Sequence, residues 1–250
     1  MNELKDDREW LNGQGAASAE YPAEAREAAR AQSSVLREVY AWMGGGLALS
    51  GAVAWHAAQS GLCVSVVTSG WFLPLCLAEI GLVIALSFAL EKLSAFAATA
   101  MFLGYAALNG LTLSTIFLVY DLGAIARTFF VTAGMFGAMA LYGATTRRDL
   151  AGWGSFLVMG LFGVVIAGVA NLFFKSAMVD FLVSCAGVVV FIGLAAWDAQ
   201  KVRRFALAAA EHGLPAEETR KAGILFALSL YLDFVNLFLH LLRFMGGKRR

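Results

Sequence analysis

The sequence predicts an all-α, polytopic membrane protein with seven transmembrane helices, the last of which is central. Of its 250 residues, 60% are hydrophobic and only 15% are charged, and the mean hydropathy is +0.70. A soluble domain cannot cover so much apolar surface, so the composition indicates several membrane spans. Two further observations support this class: the chain contains seven long apolar runs, and the last run carries a carboxylate, Asp233.

The seven runs are each close to the length that crosses a bilayer, because roughly 20 residues at about 1.5 Å rise cover the ~30 Å hydrocarbon core. They cover about residues 39–58, 71–90, 96–120, 128–144, 153–174, 178–205 and 222–245. Together they predict a seven-helix transmembrane domain over residues 35–246. A polar N-terminal tail, residues 1–34, is expected to be mobile and cytoplasmic, with some helical tendency at 23–30. Residues 247–250 form a basic C-terminal tail.

The Lys and Arg balance of the short loops predicts a cytoplasmic N-terminus. This orientation places the following residues inside: Arg26, Arg30, Arg37, Lys92, Arg147, Arg148, Lys201, Arg203, Arg204, Arg220 and Lys221. Arg127, Lys175 and the basic C-terminal tail lie outside. The tail is the one conflict with the rule that Lys and Arg are enriched on the cytoplasmic side. A re-entrant last segment would return that tail to the cytoplasm. A full span is favoured, because a re-entrant turn usually needs Gly or Pro and none lies between Gly223 and Gly246.

The last run contains Asp233 near its middle, followed at helical spacing by Asn236 and His240. An ionised carboxylate at that depth is costly unless it faces the protein interior, a partner or water. The run is therefore predicted to be a core helix with the other spans packed around it. Asp233 could instead be a hydrogen-bonded clasp between helices. For His240, a satisfied interior histidine is favoured over a group that titrates in a pathway.

A second carboxylate, Asp198, is expected at nearly the same depth as Asp233. The short connection over residues 206–221 makes the last two helices antiparallel neighbours. Asp198 lies about two turns before the end of the sixth run and Asp233 about three turns into the seventh, so their depths agree within about a turn. Two carboxylates together in a low-dielectric interior cannot both ionise cheaply and can share one proton. The alternative for Asp198 is an ion pair with Lys201, three residues on.

Two polar residues of earlier runs are further candidates. Glu79 lies deep in the second run, where it needs a partner, and two interpretations stay open: a cation ligand on a pathway, or a protonated, hydrogen-bonded acid. Asn109, in the third run, is more typical of helix packing than of ion binding.

Four stretches resemble the Bax inhibitor-1 (transmembrane Bax inhibitor motif) family. They read NGLTLSTIFLVY at 109–120, RDLAGWGSFLVMGLFGVVIAGVANLFF at 148–174, AWDAQKVR at 196–203 and ALSLYLDFVNLFLHLLRFMG at 227–246. The last two are the specific ones. ALSLYLDF, with a basic tail after it, especially resembles the bacterial inner-membrane branch.

The resemblance implies a seven-helix fold in which the other six helices enclose the last. It also implies a pH-dependent calcium leak in a bacterial inner membrane, with Asp198 and Asp233 as the proton sensor. Calcium would be a permeant ion that these two carboxylates bind transiently, since calcium prefers hard oxygen ligands, and no cofactor is expected. Glu79 matches an acidic residue that the family has in its second helix.

The sequence departs from the family pattern at two places. Trp197 stands where the family commonly has Tyr before the first aspartate, so a phenolic hydrogen bond is absent. Some bacterial relatives have an arginine near the end of the second helix that can pair with the sensor. Here Lys92 is a displaced candidate for that cation, and Lys201 is a local alternative.

A second function class stays open: a non-conducting interaction protein that modulates a membrane protease or a stress-response complex. This role is also known among bacterial relatives, and the charged N-terminal tail would suit it. No enzyme is expected, because the G-x-G-D pattern of intramembrane aspartyl proteases is absent around Asp233. Nucleic-acid partners are not expected either, since no phosphate-cradling Gly loop is present. The expected partners are the lipid bilayer and calcium or other cations.

Overall fold

The computed structural model of the protein describes residues 23–89 and 92–246, and these are almost entirely helical. The helices are α1 (Ala23–Gln59), α2 (Leu62–Thr68), α3 (Phe72–Ala89), α4 (Ala95–Leu113), α5 (Ile116–Val119), α6 (Leu122–Thr145), α7 (Ala151–Phe174), α8 (Ala177–His212) and α9 (Ala216–Met245). In the described residues each of the seven predicted runs is mainly helical, which confirms the all-α prediction.

Six spans in the described ranges are long and apolar enough to cross a membrane: α3, α4 with α5, α6, α7, α8 and α9. The remaining predicted run, the first one at 39–58, lies in the second half of α1, which is less apolar. It still runs the length of the bundle, because Glu38 contacts Arg220 of α9 near one end and Trp55 packs against Phe117 of α5 near the other. The bundle therefore has a turn end, which holds the α8–α9 turn, and a far end, where α8 begins and α9 finishes.

Helix α9 is the central element, as predicted. Of its most apolar 18-residue window, 61% is buried, against 6% for α3 and for α7. It packs mainly against α8, α1, α6 and α4. Helices α3 and α7 pack on α4 and α8 respectively and expose broad apolar faces, as helices in contact with lipid do. The last helix is thus enclosed directly by four helices rather than by all six.

The connection between α8 and α9 is much shorter than predicted. Residues 206–221 were expected to be a loop, but α8 continues to His212 and α9 begins at Ala216. Gly213 ends α8 with a φ of 60°, a left-handed conformation that glycine adopts without strain. Because both helices are longer by about two turns, the relative depth of their carboxylates is preserved.

The third predicted run is broken near its end. Ser114 and Thr115 separate α4 from α5, and their hydroxyls donate to the carbonyls of Leu111 and Thr112 at 2.6 and 2.8 Å. Such side-chain bonds compete with the backbone N–H groups for the helical carbonyls. Composition alone did not reveal this break.

Helix α1 begins at Ala23 and passes without interruption through residue 34, where the N-terminal tail was expected to end. Its helical start agrees with the tendency expected for residues 23–30. Residues 1–22 and the basic tail, 247–250, lie outside the described residues. At the other terminus α9 is one unbroken helix of 30 residues, as a full span requires.

Helices α6 and α8 approach each other closely enough to require glycine. A Cβ built at Gly143 would overlap the backbone carbonyl of Ala196. Backbone atoms cannot yield as the tip of a flexible side chain can. This contact fixes α8 two residues before Asp198.

Candidate functional site

Asp198 lies on α8 with its side chain buried; its Oδ2 is hydrogen-bonded, whereas its Oδ1 has an ion-pair partner but no hydrogen bond among the described residues. Its Oδ2 accepts a hydrogen bond from the Ser229 hydroxyl of α9, and its Oδ1 lies 2.6 Å from the Lys201 ammonium nitrogen. The Lys201 side chain is 37% exposed and sits over the Trp197 ring, 3.8 Å from its centroid. Trp197 therefore holds the cation beside Asp198 through a cation–π contact.

Asp233 lies on α9 with only 6% of its surface exposed. Its Oδ2 is buried and has no hydrogen-bond partner among the described residues. A buried carboxylate oxygen without a partner is costly when ionised, so the group is stable there only if it is neutral or gains a cation. Of the two sensor candidates, Asp233 is thus the uncompensated one.

Ser229 is a site residue that the sequence analysis missed. It precedes Asp233 by four residues, which places both on one face of α9 about 6 Å apart along the axis. Since Ser229 contacts Asp198, the two carboxylates are offset by about one helical turn, as their predicted depths allowed. The sequence could have indicated Ser229, because a hydroxyl four residues before an aspartate lies on the same face of a helix.

The turn-end half of α8 is fastened by the loop between α6 and α7. Gln200 accepts from the Leu150 N–H and donates to the Arg148 carbonyl, both at 2.8 Å. Arg203 donates to the Thr146 carbonyl at 3.2 Å. These bonds lie within about a turn and a half of Asp198, so the loop fixes the orientation of its helix.

Asp149 completes this loop clasp. Its Oδ1 accepts from the Ala151 N–H at 2.8 Å and from the Arg204 guanidinium. The Ala151 hydrogen bond, followed by that of Arg204, lowers the pKa of Asp149 below its usual value of 3.8. The group is fully exposed, so the clasp is an electrostatic contact in water.

Glu79 is held by α4. Its Oε1 accepts from the Thr112 hydroxyl at 2.7 Å and its Oε2 from the Asn109 amide at 3.2 Å. Asn109 in turn accepts from the Tyr231 hydroxyl of α9 at 2.8 Å, and Tyr231 lies 2.6 Å from the Ser50 hydroxyl of α1. Tyr231 and Ser50 were not singled out in the sequence, although Tyr231 is fully buried at the centre of the bundle.

Two cavities flank α9 in the half of the bundle towards the far end. The first, about 480 Å³, lies between α9, α4 and the peripheral helix α3, and Glu79 lines it. The second, about 460 Å³, lies between α9, α8 and the peripheral helix α7. Asp180, Asn236 and Arg243 line both. Cavities of this size with several polar groups can hold water. Water in either cavity would reach Asn236, which lies three residues from Asp233.

The two polar residues that follow Asp233 differ in environment. Asn236 donates to the Leu232 carbonyl of its own helix at 2.8 Å and faces both cavities. His240 is buried, stacks on Phe191 with 5.5 Å between ring centroids, and lies against Gly187. These contacts are those of a packed interior ring, although its Nδ1 has no partner among the described residues.

The two candidate cations have different positions. Lys201 contacts Asp198, whereas Lys92 is exposed between α3 and α4 and forms no ion pair with either aspartate in the described ranges. Within the same ranges, no three His, Cys, Asp or Glu side chains come together to hold a metal ion.

Comparison with known proteins decides the family. The family described as "Inhibitor of apoptosis-promoting Bax1" matches residues 32–250 of this chain. The protein belongs to the Bax inhibitor-1 family. The match covers all seven predicted runs, and it confirms the family resemblance carried by AWDAQKVR and ALSLYLDF.

Several bacterial proteins share this Bax inhibitor-1 sequence over most of their length. The chain is 47% identical over 219 residues to the protein named "Inner membrane protein YbhL" of Escherichia coli K12, covering 86% of this chain and 92% of that one. It is 41% identical over 220 residues to an uncharacterised protein of Borreliella burgdorferi, covering 87% and 94%. An uncharacterised protein of Deinococcus radiodurans is 42% identical over 215 residues, covering 86% and 90%. Family membership and the helices together identify a multi-pass membrane protein.

Proposed function

We propose that this protein is a pH-sensitive leak channel for calcium or other cations, gated by Asp198 and Asp233. The observation that carries the proposal is the environment of Asp233. It is a carboxylate buried in the central span, with one oxygen unpartnered, one turn from a second carboxylate. A helix whose only role is packing has no use for such a group.

The proposed gating follows from the unequal compensation of the two aspartates. Lys201 and Ser229 stabilise Asp198 as a carboxylate, so a negative charge is already present on α8. Protonated Asp233 is neutral and lets α9 pack against α8. When Asp233 ionises, two negative charges face one half-exposed ammonium. The helices then separate or a cation enters between them.

The two cavities support a pathway to this site. Both cavities follow α9 from Arg243, near the far end, to Asn236, and polar side chains line them. Calcium binds oxygen ligands, and two carboxylates with an amide oxygen offer such a set. The described residues form no larger acidic cluster, which suits transient binding by a permeant ion rather than a resident metal.

We place the protein in a bacterial inner membrane, with the turn end and the N-terminus in the cytoplasm. The name of the Escherichia coli relative supports the membrane, and the Lys and Arg balance of the loops supports the orientation. In this orientation Lys201 and the loop clasp lie towards the cytoplasm, and both cavities lie in the half of the bundle towards the periplasm.

The test is calcium flux into dye-loaded proteoliposomes at several pH values, with no partner protein present. Wild type is compared with Asp233→Asn and Asp198→Asn, and with Glu211→Gln as a control at an exposed carboxylate on α8. We expect pH-dependent flux in wild type and in the control, and loss of the pH dependence in both aspartate variants. Folded wild-type protein that passes no calcium at any pH would overturn the channel and favour the non-conducting interaction protein instead.

A further inference from the structure

A narrow apolar groove lies between α1 and α6 in the half of the bundle towards the far end. Its volume is about 130 Å³. Both helices pack against α9, but in the described part of the chain they do not pack extensively against each other. Helix α5 borders the groove towards the far end, where Phe117 lines it. The groove is therefore a gap in the layer of helices that encloses α9.

The floor of the groove belongs to the central helix. Phe234, Val235 and Phe238 of α9 line it, and all three are buried. The rim belongs to the outer helices, because Gly51 of α1 and Phe129 of α6 are exposed. Phe129 packs edge-on against Phe234 and Phe238, with 5.6 and 6.5 Å between ring centroids. The groove thus connects the lipid-facing surface with the core of the bundle.

The described residues that line the groove offer no free polar group to a ligand. Ser50 is the one lining residue with a polar side chain, and the others are Leu, Ile, Val, Phe, Ala and Gly. The Ser50 hydroxyl already contacts the carbonyls of Gly46 and Ala106, at 3.0 and 2.6 Å. It also lies 2.6 Å from the Tyr231 hydroxyl. Because a buried water needs two to four polar partners, water is not the expected occupant.

We propose that this groove binds one acyl chain of a bilayer lipid. The groove is continuous with the lipid-facing surface, where hydrocarbon is the surrounding medium. Its α1 wall, from Leu47 to Ala54, is about 10 Å long at 1.5 Å per residue. That length is most of the hydrocarbon depth of one leaflet, about 15 Å. An acyl chain is apolar, flexible and thin, and it covers α9 where the enclosing helices leave it open.

Two other occupants do not suit the groove. A helix of a second copy is about 10–12 Å in diameter with its side chains, which is too wide for a space of about 130 Å³. The C-terminal tail carries Lys248, Arg249 and Arg250, and burying a charge among apolar side chains is costly. An acyl chain meets neither objection. The inference goes beyond the proposed function, since it does not depend on conduction.

The experiment is photolabelling of the full-length protein in liposomes that contain a trace of phospholipid with a diazirine midway along its acyl chain. Mass spectrometry of the digested protein identifies the labelled residues. Lipids that only surround the protein label the exposed faces of α3 and α7. We expect label also on Phe234 or Phe238, because an inserted chain reaches these buried side chains of α9. This measurement needs no variant.

A matched pair of α1 variants tests the position of the chain. A Cβ built at Gly51 or at Gly45 meets nothing within 4 Å, so both positions accept a larger side chain. Gly51 lines the groove, whereas Gly45 is exposed on the same helix and does not line it. Gly51→Leu should fill the groove and remove most of the label from α9, and Gly45→Leu should leave that label unchanged. Unchanged labelling of α3 and α7 reports that both variants are folded.

Two results would overturn the inference. Absence of label from α9 in wild type, with α3 and α7 labelled, would show that the groove is covered by a second copy or closed by its own helices. Equal labelling of α9 in Gly51→Leu and Gly45→Leu would show that the lipid reaches α9 by another route. Neither result bears on calcium flux, so failure here is distinguishable from failure of the channel proposal.

Discussion

Ser229 donates its hydroxyl hydrogen to Asp198 at a point one helical turn before Asp233 on the same face of α9. Helix α9 therefore presents two polar groups to α8, of which the serine is matched and the aspartate is not. The serine contact forms only in the register that the packing gives the two helices, and that register determines which charges Asp233 meets.

Replacing Ser229 with Ala should weaken the contact between α8 and α9. Hydrogen bonds between membrane helices contribute about 0.5–2 kcal/mol, so a modest fall in thermal stability is expected. In proteoliposomes, calcium flux under acidic conditions should rise, because the closed helix contact has lost a donor. Ser184→Ala is the control, since the Ser184 hydroxyl donates only within its own helix. Equal flux from both variants would contradict this role for Ser229.

Lys201→Met should alter the pH dependence of flux, whereas Lys92→Met should not. Lys201 contacts Asp198 at 2.6 Å, and Lys92 is exposed. The ion pair is partly exposed, so its contribution to stability is below about 1 kcal/mol and the effect should appear in the flux profile rather than in unfolding. Lys201→Arg keeps the charge and should retain most of the wild-type profile. A larger effect of Lys92→Met would identify Lys92, between α3 and α4, as the source of the cation instead.

Asp149→Asn should destabilise the protein at neutral pH but not in strong acid. The pKa of Asp149 is lowered by the Ala151 hydrogen bond and by Arg204. Its stabilisation is therefore fully present above the ordinary aspartate pKa of 3.8 and is lost as the pH falls through the lower, folded-state value. Thermal unfolding in detergent measures this. The difference between wild type and variant should shrink with acidification, and a constant difference would show that the clasp does not depend on the charge.

Gly143→Ala should destabilise the bundle far more than Gly137→Ala on the same helix. A Cβ at Gly143 would overlap the Ala196 carbonyl, whereas a Cβ at Gly137 meets nothing within 4 Å. Overpacking against backbone costs about 1–3 kcal/mol, while alanine at an open helical site is neutral or favourable. Comparing the thermal midpoints of the two variants tests this. Similar midpoints would show that α6 and α8 separate without cost.

The helices could be predicted because each span carries its own signal. A run of about 20 apolar residues must be helical in a bilayer, since no other local structure satisfies its backbone there. The interior position of Asp233 could be predicted as well, because a carboxylate inside such a run needs a protein environment. The helix ends could not be predicted from hydropathy. Helices α8 and α9 extend into residues 206–221, where polar side chains end the apolar runs although the helices continue.

The contacts between helices could not be predicted in this way. Ser229 and Tyr231 are unremarkable in a list of residues, and they matter because the packing of α9 turns one towards Asp198 and the other towards Asn109. The loop clasp is similar, since Gln200 meets residues about 50 positions away in the chain. Helix rotation and register arise from packing over the whole bundle, and no short stretch of sequence encodes them.

The sequence by itself determined that the chain spans a membrane, that its last helix is the core, and that Asp198 and Asp233 lie at similar depth. These follow from local hydropathy and from helix rise per residue. Only the tertiary structure decided which carboxylate is compensated. The partners of Asp198 come from α8 and α9 together, whereas Asp233 Oδ2 has none among the described residues. The physical reason is that hydrogen bonds act only over about 3 Å, so their pairing depends on how the helices are rotated against each other.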